Sequence, residues 1–304
     1  MNDALSIDPD VRAVLDRKGP VVALETTVIS HGLPQPQNLE TARGLESIVR
    51  GLGAIPATIG VRGGRIRIGL RDPELEHFAT GTGIRKLSSA DLPYAVATGA
   101  DGATTVAATI VCAQMAGIEV VATGGIGGVH RGAETTYDVS ADLTQLAKTP
   151  VTVVCSGAKA ILDLPKTLEM LETLGVTIIT YRSDDFPAFW SRSSGLPSPW
   201  RTDSVDELAR IIRTKRSLGL KSGIIVANPA PEADEIPLSA IMEHIEAATN
   251  EAQTRAISGK ALTPFLLDRI AASTSGRSLA TNIALLRSNA RLAALLALAL
   301  SEKR

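Results

Sequence analysis

The sequence has few cysteines, few aromatic residues and almost no net charge, and each shortage excludes a class of protein. Its only cysteines, Cys112 and Cys155, stand in apolar surroundings without a CxxC motif. We therefore expect buried free thiols rather than disulfides or a zinc site. Aromatic residues make up 3% and the net charge is −1, so the chain lacks the basic patch that binds nucleic acid or an anionic membrane.

Long hydrophobic runs are also missing. The apolar residues 292–300 are too few to span a bilayer, and the charged residues 1–19 do not resemble a signal peptide. We therefore expect a cytoplasmic protein that binds neither membrane nor nucleic acid. The chain has 44% apolar and 21% charged residues without a linker, repeat or low-complexity segment, which predicts a single domain over residues 1–304.

What the sequence does contain is a regular alternation of short apolar runs and helical patterns. The predicted buried strands are residues 20–24, 118–122, 151–155, 176–181 and 223–227. The alternation predicts an α/β fold, a three-layer α/β/α sandwich whose sheet is mostly parallel. A hairpin predicted at residues 57–70 would make that sheet mixed.

The segments between and after these strands carry further predictions. Asn38 is expected to cap a helix, and residues 102–116 and 205–217 are predicted helices. Residues 80–91 are predicted to be a loop. Residues 184–200, rich in Pro, Ser and aromatics, are predicted to form a long surface loop.

The C-terminal third is predicted to be helical, over about residues 238–257, 263–273 and 278–301. The last of these helices is apolar on more than one side, which suits deep burial or a subunit interface.

A glycine-rich segment, residues 123–132, follows the strand at residues 118–122. Its glycines allow left-handed backbone angles, so we expect several N–H groups to turn inward and form an anion nest. The glycines concerned are Gly124, Gly125, Gly127 and Gly128. His130 and Arg131 add positive charge beside this loop. No GK[ST] follows and no GxGxxG spacing is present, which excludes a Walker motif and a dinucleotide fold.

Candidate catalytic groups lie next to predicted strand ends. Glu25 directly follows the first strand, where ligands of open α/β sheets bind. Asp138, Ser140 and Asp142 alternate behind the glycine loop and offer the hard oxygen ligands that Mg²⁺ or Mn²⁺ prefers. Lys159 lies just past the strand at 151–155, at the expected start of a helix. These residues together predict a sugar-phosphate site.

Eight segments carry a resemblance to one family, in order between about residues 20 and 292. They are ALETTVISHGLPQPQN, GIRKLS, GATTVAAT, ATGGIGGVHRGAETTYDVSADL, CSGAKAILD, ANPAP, GKALTPFLL and LATNIALLRSNA. Together they resemble the pseudouridine-5′-phosphate glycosidase family. The resemblance implies reversible cleavage of the carbon–carbon glycosidic bond of pseudouridine 5′-phosphate to uracil and ribose 5-phosphate. It also implies an α/β/α fold, a homotrimer and dependence on Mn²⁺, with Mg²⁺ or another divalent cation as a substitute.

The resemblance also assigns site residues. It implies Lys159 as nucleophile, Glu25 as general acid and Asp138 as metal ligand. The substrate contacts it suggests are Lys86, Val106, Thr123, His130, Ser140, Ala141, Asp142 and Asn282.

Several of these residues also admit structural explanations. Ser140 can cap a helix and Asp142 can lie in its first turn, Val106 can belong to a helix core, and Asn282 can serve packing alone. Lys159 and Lys86 can be solvated surface charges, and Glu25 can pair with an arginine.

The reaction needs an electron sink, because the uracil leaves as a carbanion equivalent when a carbon–carbon bond breaks. An amine that attacks C1′ and opens the ribose supplies this sink as an iminium. Lys159 is the candidate amine, since an apolar strand before it and a helix start after it would disfavour its ammonium form. Glu25 is the candidate proton donor to uracil C5 or to the ribose oxygen.

Other functions fit part of this pattern. Another Schiff-base lyase or aldolase acting on a sugar phosphate would use the same lysine, anion site and metal ligand. A non-catalytic sugar-phosphate sensor would need the anion site but not Lys159. A kinase fits least, because the chain has no phosphate-loop lysine signature and no second domain.

Overall fold

The computed structural model describes residues 4–302. In this part of the chain one sheet contains eleven strands. They are β1 Leu5–Ile7, β2 Val21–Leu24, β3 Ile55–Arg62, β4 Arg65–Ile68, β5 Arg85–Leu87, β6 Gly102–Thr104, β7 Val120–Ala122, β8 Thr152–Cys155, β9 Thr177–Tyr181, β10 Arg201–Thr202 and β11 Ile224–Ala227.

Twelve α-helices accompany the sheet in the same described range. They are α1 Pro9–Asp16, α2 Gln37–Gly51, α3 Asp72–Thr80, α4 Leu92–Thr98, α5 Val106–Ala116, α6 Ala133–Thr136, α7 Ala141–Leu146, α8 Leu164–Thr173, α9 Val205–Ser217, α10 Leu238–Thr254, α11 Leu262–Ser273 and α12 Arg277–Ser301. Short helical turns occur at Val28–Gly32, Ser89–Asp91, Glu232–Asp234 and Gly259–Ala261.

The sheet is mixed and largely parallel, as predicted. Its order is β1-β4-β3-β2-β7-β8-β11-β9-β10, with β6 and β5 branching from β3. Only β3 with β4 and β3 with β6 pair antiparallel. The predicted hairpin is confirmed by the register of β3 on β4, in which Ile59 pairs with Ile68 and Arg62 with Arg65.

Helices cover the sheet in layers, which confirms the predicted α/β/α fold. Helix α12 packs against α2, α9 and the central strands β2, β7 and β8. Helix α5 packs against α7 and also contacts β2, β3 and β7. Every residue of β2, β7, β8 and β11 is buried. Strands covered on both faces are apolar throughout, which explains why the sequence showed them as short continuous apolar runs.

The last helix is largely a core element, which agrees with the predicted burial. In α12, thirteen residues are buried, among them Leu285, Leu286 and Leu296. By length and composition it could cross a membrane, but 56% of its most apolar window is buried inside the protein. Its apolar surface is therefore accounted for largely by contacts with the sheet and with α2 and α9.

Several local predictions were wrong. Asn38 does not cap α2, which begins at Gln37; its buried amide instead donates to the carbonyls of Ile29 and Ala79. The predicted loop at residues 80–91 contains β5. The predicted helix from residue 102 begins with β6 and becomes helical only at Val106, where the side chain of Thr105 caps α5.

The predicted surface loop at residues 184–200 has a buried centre, residues 186–191, between more exposed ends. Phe186, Phe189 and Trp190 are 0%, 2% and 1% exposed. The Trp190 ring lies at 5.0 Å from that of Phe189 in a T-shaped arrangement, and its Nε1 donates to the carbonyl of Ser278 at 3.0 Å. The loop therefore ties the sheet edge to α12.

Candidate active site

The central polar residues of the candidate site follow the carboxyl ends of three neighbouring parallel strands. β2, β7 and β8 lie side by side, and Glu25, Thr123 and Lys159 follow their carboxyl ends. Because adjacent strands are about 4.8 Å apart, residues just beyond their ends are brought within reach of one small molecule.

These residues line a cavity of about 360 Å³. All eleven residues singled out in the sequence contribute to its lining. They are Glu25, Lys86, Val106, Thr123, His130, Asp138, Ser140, Ala141, Asp142, Lys159 and Asn282. The structure thus brings them together, and their individual roles stay predictions.

Glu25 accepts a hydrogen bond from the hydroxyl of Thr123. Burial raises the pKa of Glu25, although the positive charge of Lys159 and the Thr123 hydrogen bond act in the opposite direction. A carboxyl whose pKa is raised keeps its proton to higher pH, so Glu25 is suited to donate a proton.

The lysine side chain is anchored to the glycine loop. Lys159 Nζ donates to the carbonyl of Gly125 at 2.8 Å. The backbone around it also pairs with this loop, because Ile126 N donates to Gly157 O at 3.0 Å and Lys159 N donates to Ile126 O at 3.1 Å. The amine is therefore held at a defined point on the cavity wall.

The predicted helix start at Lys159 is wrong. A turn follows the lysine, closed by the hydrogen bond from Leu162 N to Lys159 O at 3.0 Å. Helix α8 begins only at Leu164, where the side chain of Asp163 accepts from Lys166 N as its cap. The positive end of a helix dipole acts within about one turn, so α8 does not provide the effect expected from the sequence.

Lys86 lies in β5 and faces the same cavity. Burial lowers its pKa, and the positive charge of Lys159 lowers it further. Its ammonium donates at 3.4 Å to the carbonyl of Lys260, whose own ammonium forms an ion pair with Asp91 at 2.6 Å. The segment around Lys260 thus closes one side of the cavity.

The glycines of the loop serve close packing rather than left-handed angles. None of the four adopts a positive φ, which corrects the prediction. A Cβ on Gly127 would lie 2.2 Å from Ser140 Oγ, and one on Gly128 would lie 2.4 Å from Thr167 Oγ1. A Cβ on Gly125 would lie 2.7 Å from the Phe189 ring. Only residues without a side chain fit between these neighbours.

The loop does not form the open anion nest predicted from the sequence. Five of its amides donate within the protein, that of Thr123 to the carbonyl of Val154 at 3.1 Å. The amides of Ile126, Gly127, Val129 and His130 donate to Gly157 O, Asp142 Oδ2, Thr167 Oγ1 and Asp138 O at 2.8 to 3.0 Å. These N–H groups are therefore already satisfied and not available to a phosphate.

Asp142 joins the loop to helix α5. Its Oδ2 accepts from Gly127 N and its Oδ1 from Ala107 N, both at 2.8 Å. Ser140 caps α7 by accepting from Asp142 N at 3.2 Å, which confirms the predicted cap and first-turn acid. The Asp142 carboxylate thus has an anchoring function that the sequence pattern did not reveal.

His130 and Asp138 lie together because their backbones pair. His130 N donates to Asp138 O at 3.0 Å, and Val129 and Val139 form an isolated bridge. Burial lowers the pKa of His130, and the nearby Asp138 carboxylate opposes this. Within residues 4–302 no group of three or more His, Cys, Asp or Glu could hold a metal. A cation here would depend on Asp138, water and substrate oxygens, a ligand set that Mg²⁺ and Mn²⁺ accept.

Several cavity-lining residues were not singled out in the sequence, among them His31, Phe189 and Lys260. His31 Nε2 is buried without a hydrogen-bond partner among residues 4–302. Burial lowers the pKa of this imidazole, and the positive charge of Lys86 lowers it further. Phe189 has φ +58°, which is strained for a bulky residue. His31 and Lys260 lie in two of the family segments, at SHG and GKALTP, but no physical pattern there distinguishes these two residues.

Comparison with known proteins identifies the family of this chain. The model of the indigoidine synthase A like protein family matches residues 10–299. The pseudouridine-5′-phosphate glycosidase of Methylobacterium nodulans is 59% identical over 296 residues, which are 97% of this chain and 88% of the relative. The chain therefore belongs to the pseudouridine-5′-phosphate glycosidase family. As a member of the pseudouridine-5′-phosphate glycosidase family, it is an enzyme.

Further relatives extend the family likeness to structure. The pseudouridine-5′-phosphate glycosidase of Solibacter usitatus is 59% identical over 96% of this chain and 98% of its own. The prealnumycin C-glycosynthase AlnA, solved in complex with ribulose 5-phosphate, has a TM-score of 0.92 and 39% identity over 99% of this chain and 98% of its own. An indigoidine synthase A-like protein from Thermotoga maritima has a TM-score of 0.89 and 39% identity over 98% and 96% of the two chains.

Proposed function

We propose that this enzyme reversibly cleaves the carbon–carbon glycosidic bond of pseudouridine 5′-phosphate, giving uracil and ribose 5-phosphate. The observation that carries the proposal is the meeting of Lys159 and Glu25 in one cavity at the ends of neighbouring strands. Relatives that are 59% identical carry the name of this activity. A solved relative that is a C-glycosynthase was bound to a pentulose phosphate.

Lys159 is the proposed nucleophile. Its neutral amine attacks C1′ as the C1′–O4′ bond breaks, and the ring oxygen takes the proton that the attacking nitrogen loses. The nitrogen lone pair then forms a C=N bond while the electron pair of the C1′–C5 bond passes to the uracil. Water hydrolyses the resulting iminium, releasing ribose 5-phosphate and restoring the amine.

Glu25 is the proposed proton donor. The uracil carbon C5 must gain one proton for each bond broken, and a carboxyl whose pKa is raised by burial keeps such a proton to higher pH than an exposed one. Thr123 orients the carboxyl by donating its hydroxyl proton to one oxygen. In the reverse direction Glu25 removes the same proton from C5.

The remaining lining residues divide between the two ends of the substrate. Lys86 and His130 are the proposed side-chain contacts of the ribose phosphate, with Thr123 beside them. Val106, Ser140, Ala141 and Asp142 lie on the cavity wall at the starts of α5 and α7, and they are further proposed substrate contacts. Asn282 lines the cavity from α12 and is the proposed contact for the uracil edge.

Asp138 is the proposed ligand of a divalent metal ion, Mn²⁺ or Mg²⁺. Such an ion would supply positive charge that neutralises the substrate phosphate. Asp138 contributes one carboxylate at the cavity wall, and a cation with a single protein ligand keeps much of its water shell.

We further propose a cytoplasmic homotrimer. Tyr137 and Trp200, which are 86% and 68% exposed, are candidate residues for subunit contacts. Light scattering coupled to size exclusion would give a mass near three times 31.8 kDa for a trimer.

The test is borohydride trapping with ribose 5-phosphate and Mn²⁺, followed by peptide mass spectrometry. We expect a pentose-phosphate adduct on Lys159, and none in Lys159→Ala. Uracil added before reduction should convert the iminium on Lys159 to pseudouridine 5′-phosphate and so lower the yield of adduct. An aldolase would not carry out this conversion. Failure of the wild-type enzyme to form an adduct, while it still binds ribose 5-phosphate, would overturn the Schiff-base mechanism.

A further inference from the structure

A fully buried asparagine lies directly behind the active-site backbone. Asn289 of α12 is 0% exposed and does not line the cavity. Its Nδ2 donates to the carbonyl of Thr123 at 2.8 Å, and lies 3.4 Å from the carbonyl of Gly124 and 3.1 Å from Ser156 Oγ. One side chain thus holds the backbone after β7 and contacts the residue after β8.

The orientation of this amide is fixed by its other neighbour. Asn228 follows β11, and its Nδ2 donates to Asn289 Oδ1 at 2.9 Å and to Ser288 Oγ at 3.0 Å. Exchanging the nitrogen and oxygen of Asn289 would place donor against donor on one side and acceptor against acceptor on the other. The hydrogen bonds therefore specify which end of the amide faces the loop.

The backbone that Asn289 holds also carries both proposed catalytic contacts. Thr123, whose carbonyl accepts from Asn289, donates its hydroxyl to Glu25. Two residues later, the carbonyl of Gly125 accepts from Lys159 Nζ. A rotation of the Thr123–Gly124 peptide would move the proton donor and the nucleophile together.

We propose that Asn289 is a positioning residue, which fixes the backbone of residues 123–125 so that Glu25 and Lys159 keep their productive geometry. The inference rests on the proposed function for its catalytic part. Its structural part, immobilisation of the glycine loop, stands independently of which reaction is catalysed. Buried polar groups that orient a reacting group typically change activity by about 10- to 100-fold when removed.

A purely structural asparagine would behave differently. It would contribute to stability without a specific effect on turnover, which is the behaviour we expect of the distant Lys215. Lys215 Nζ makes three hydrogen bonds, to Thr177 Oγ1, Ser222 Oγ and Gly223 O, at 2.8 to 3.0 Å. These lie at the amino ends of β9 and β11, at the opposite end of the sheet from the cavity. Lys215→Met is therefore the control for loss of stability alone.

The experiment compares Asn289→Ala with Lys215→Met. In Asn289→Ala we expect amide hydrogen exchange of peptides covering residues 123–128 to accelerate about tenfold or more. We also expect kcat to fall about 10- to 100-fold while KM for the sugar phosphate changes less than about threefold. In Lys215→Met, both the exchange of this loop and kcat should stay within about twofold of wild type.

The pH profile gives a second readout. Lys159, Lys86 and Asp142 also act on the Glu25 carboxyl, and Thr123 lowers its pKa. Loss of the Thr123 contact should therefore move the Glu25 limb of the kcat profile to higher pH in Asn289→Ala only. If Asn289→Ala fails to fold, Asn228→Ala removes the partner of Oδ1 and should give smaller changes in the same direction.

The outcomes separate the two proposals. Unchanged loop exchange in a folded Asn289→Ala overturns the positioning role, whatever the activity. Accelerated exchange with unaltered kcat and pH profile shows that the loop need not be fixed for turnover, and also overturns it. The third outcome is accelerated exchange in Asn289→Ala together with a wild-type enzyme that forms neither product nor adduct. This result would overturn the proposed reaction but would still support immobilisation of the loop by Asn289.

Discussion

Asp142 and Gly127 are joined by a hydrogen bond of 2.8 Å from the glycine amide to Oδ2 of the carboxylate. The other oxygen, Oδ1, accepts at the same distance from Ala107 N in the first turn of α5. The carboxylate therefore bridges the glycine loop and the start of a helix, and both sides of the cavity depend on it.

Replacing Asp142 by Asn should destabilise the protein. The amide nitrogen cannot accept, so it leaves one buried N–H group without a partner, at a cost of about 1–3 kcal/mol. We expect KM for ribose 5-phosphate to rise as well, because the loop moves. Denaturant unfolding and steady-state kinetics measure both effects. Asp268→Asn is the control, since this residue lies at an exposed position of α11. An equal loss of stability in the two variants would contradict the bridging role.

Replacing Glu25 by Gln should lower kcat about 100-fold or more while leaving ribose 5-phosphate binding nearly unchanged, since only the proton donor is lost. Initial rates and calorimetric titration measure the two quantities. A variant with normal turnover would exclude Glu25 as the acid.

The same variant has a predicted pH signature in stability. Burial raises the pKa of Glu25 above its ordinary value of 4.5, so the folded state retains a proton that the unfolded chain loses. The free energy of unfolding therefore falls as pH rises from about 4.5 through the folded pKa. Glu25→Gln should therefore be more stable than wild type at a pH above the folded pKa of Glu25, and the difference should vanish below about pH 4. A difference independent of pH would contradict this account.

Replacing Asp138 by Ala should raise the Mn²⁺ concentration needed for half-maximal activity about tenfold or more, because the proposed site has a single protein carboxylate. The measurement is activity against free Mn²⁺ after removal of metal with a chelator. Glu134→Ala is the control, as its exposed side chain pairs with Lys166 on the nearby surface. An unchanged metal dependence in Asp138→Ala would place the ion elsewhere.

Replacing Gly157 by Ala should impair folding and turnover together. Gly157 lies two residues before Lys159 and has φ +76°. A Cβ on Gly157 would lie 2.1 Å from the carbonyl oxygen of Pro187. Overpacking of this kind costs about 1–3 kcal/mol. Gly44→Ala, in open space on α2, should instead stabilise by about 0.5–1 kcal/mol. Thermal unfolding and kcat of both variants test the contrast, which would fail if they behaved alike.

The sequence by itself determined the buried central strands, the parallel sheet, the hairpin and most helices. These features depend on local patterns, because a strand covered on both faces must be apolar along its whole length. The positions of Glu25 and Lys159 after such strands were therefore visible, and so were the polar residues around the glycine loop. Family motifs added five further cavity-lining residues, namely Lys86, Val106, Thr123, Ala141 and Asn282.

Only the tertiary structure decided what those residues contact. The glycine loop packs against Ser140 and Thr167, which no local pattern of glycines reveals. Asn289 reaches Thr123 across 166 positions of sequence. Such contacts arise when separate elements meet around the sheet, and their distances depend on packing rather than on local preference. The same reason explains Phe189, whose segment was polar enough to resemble a surface loop but is buried beside the cavity.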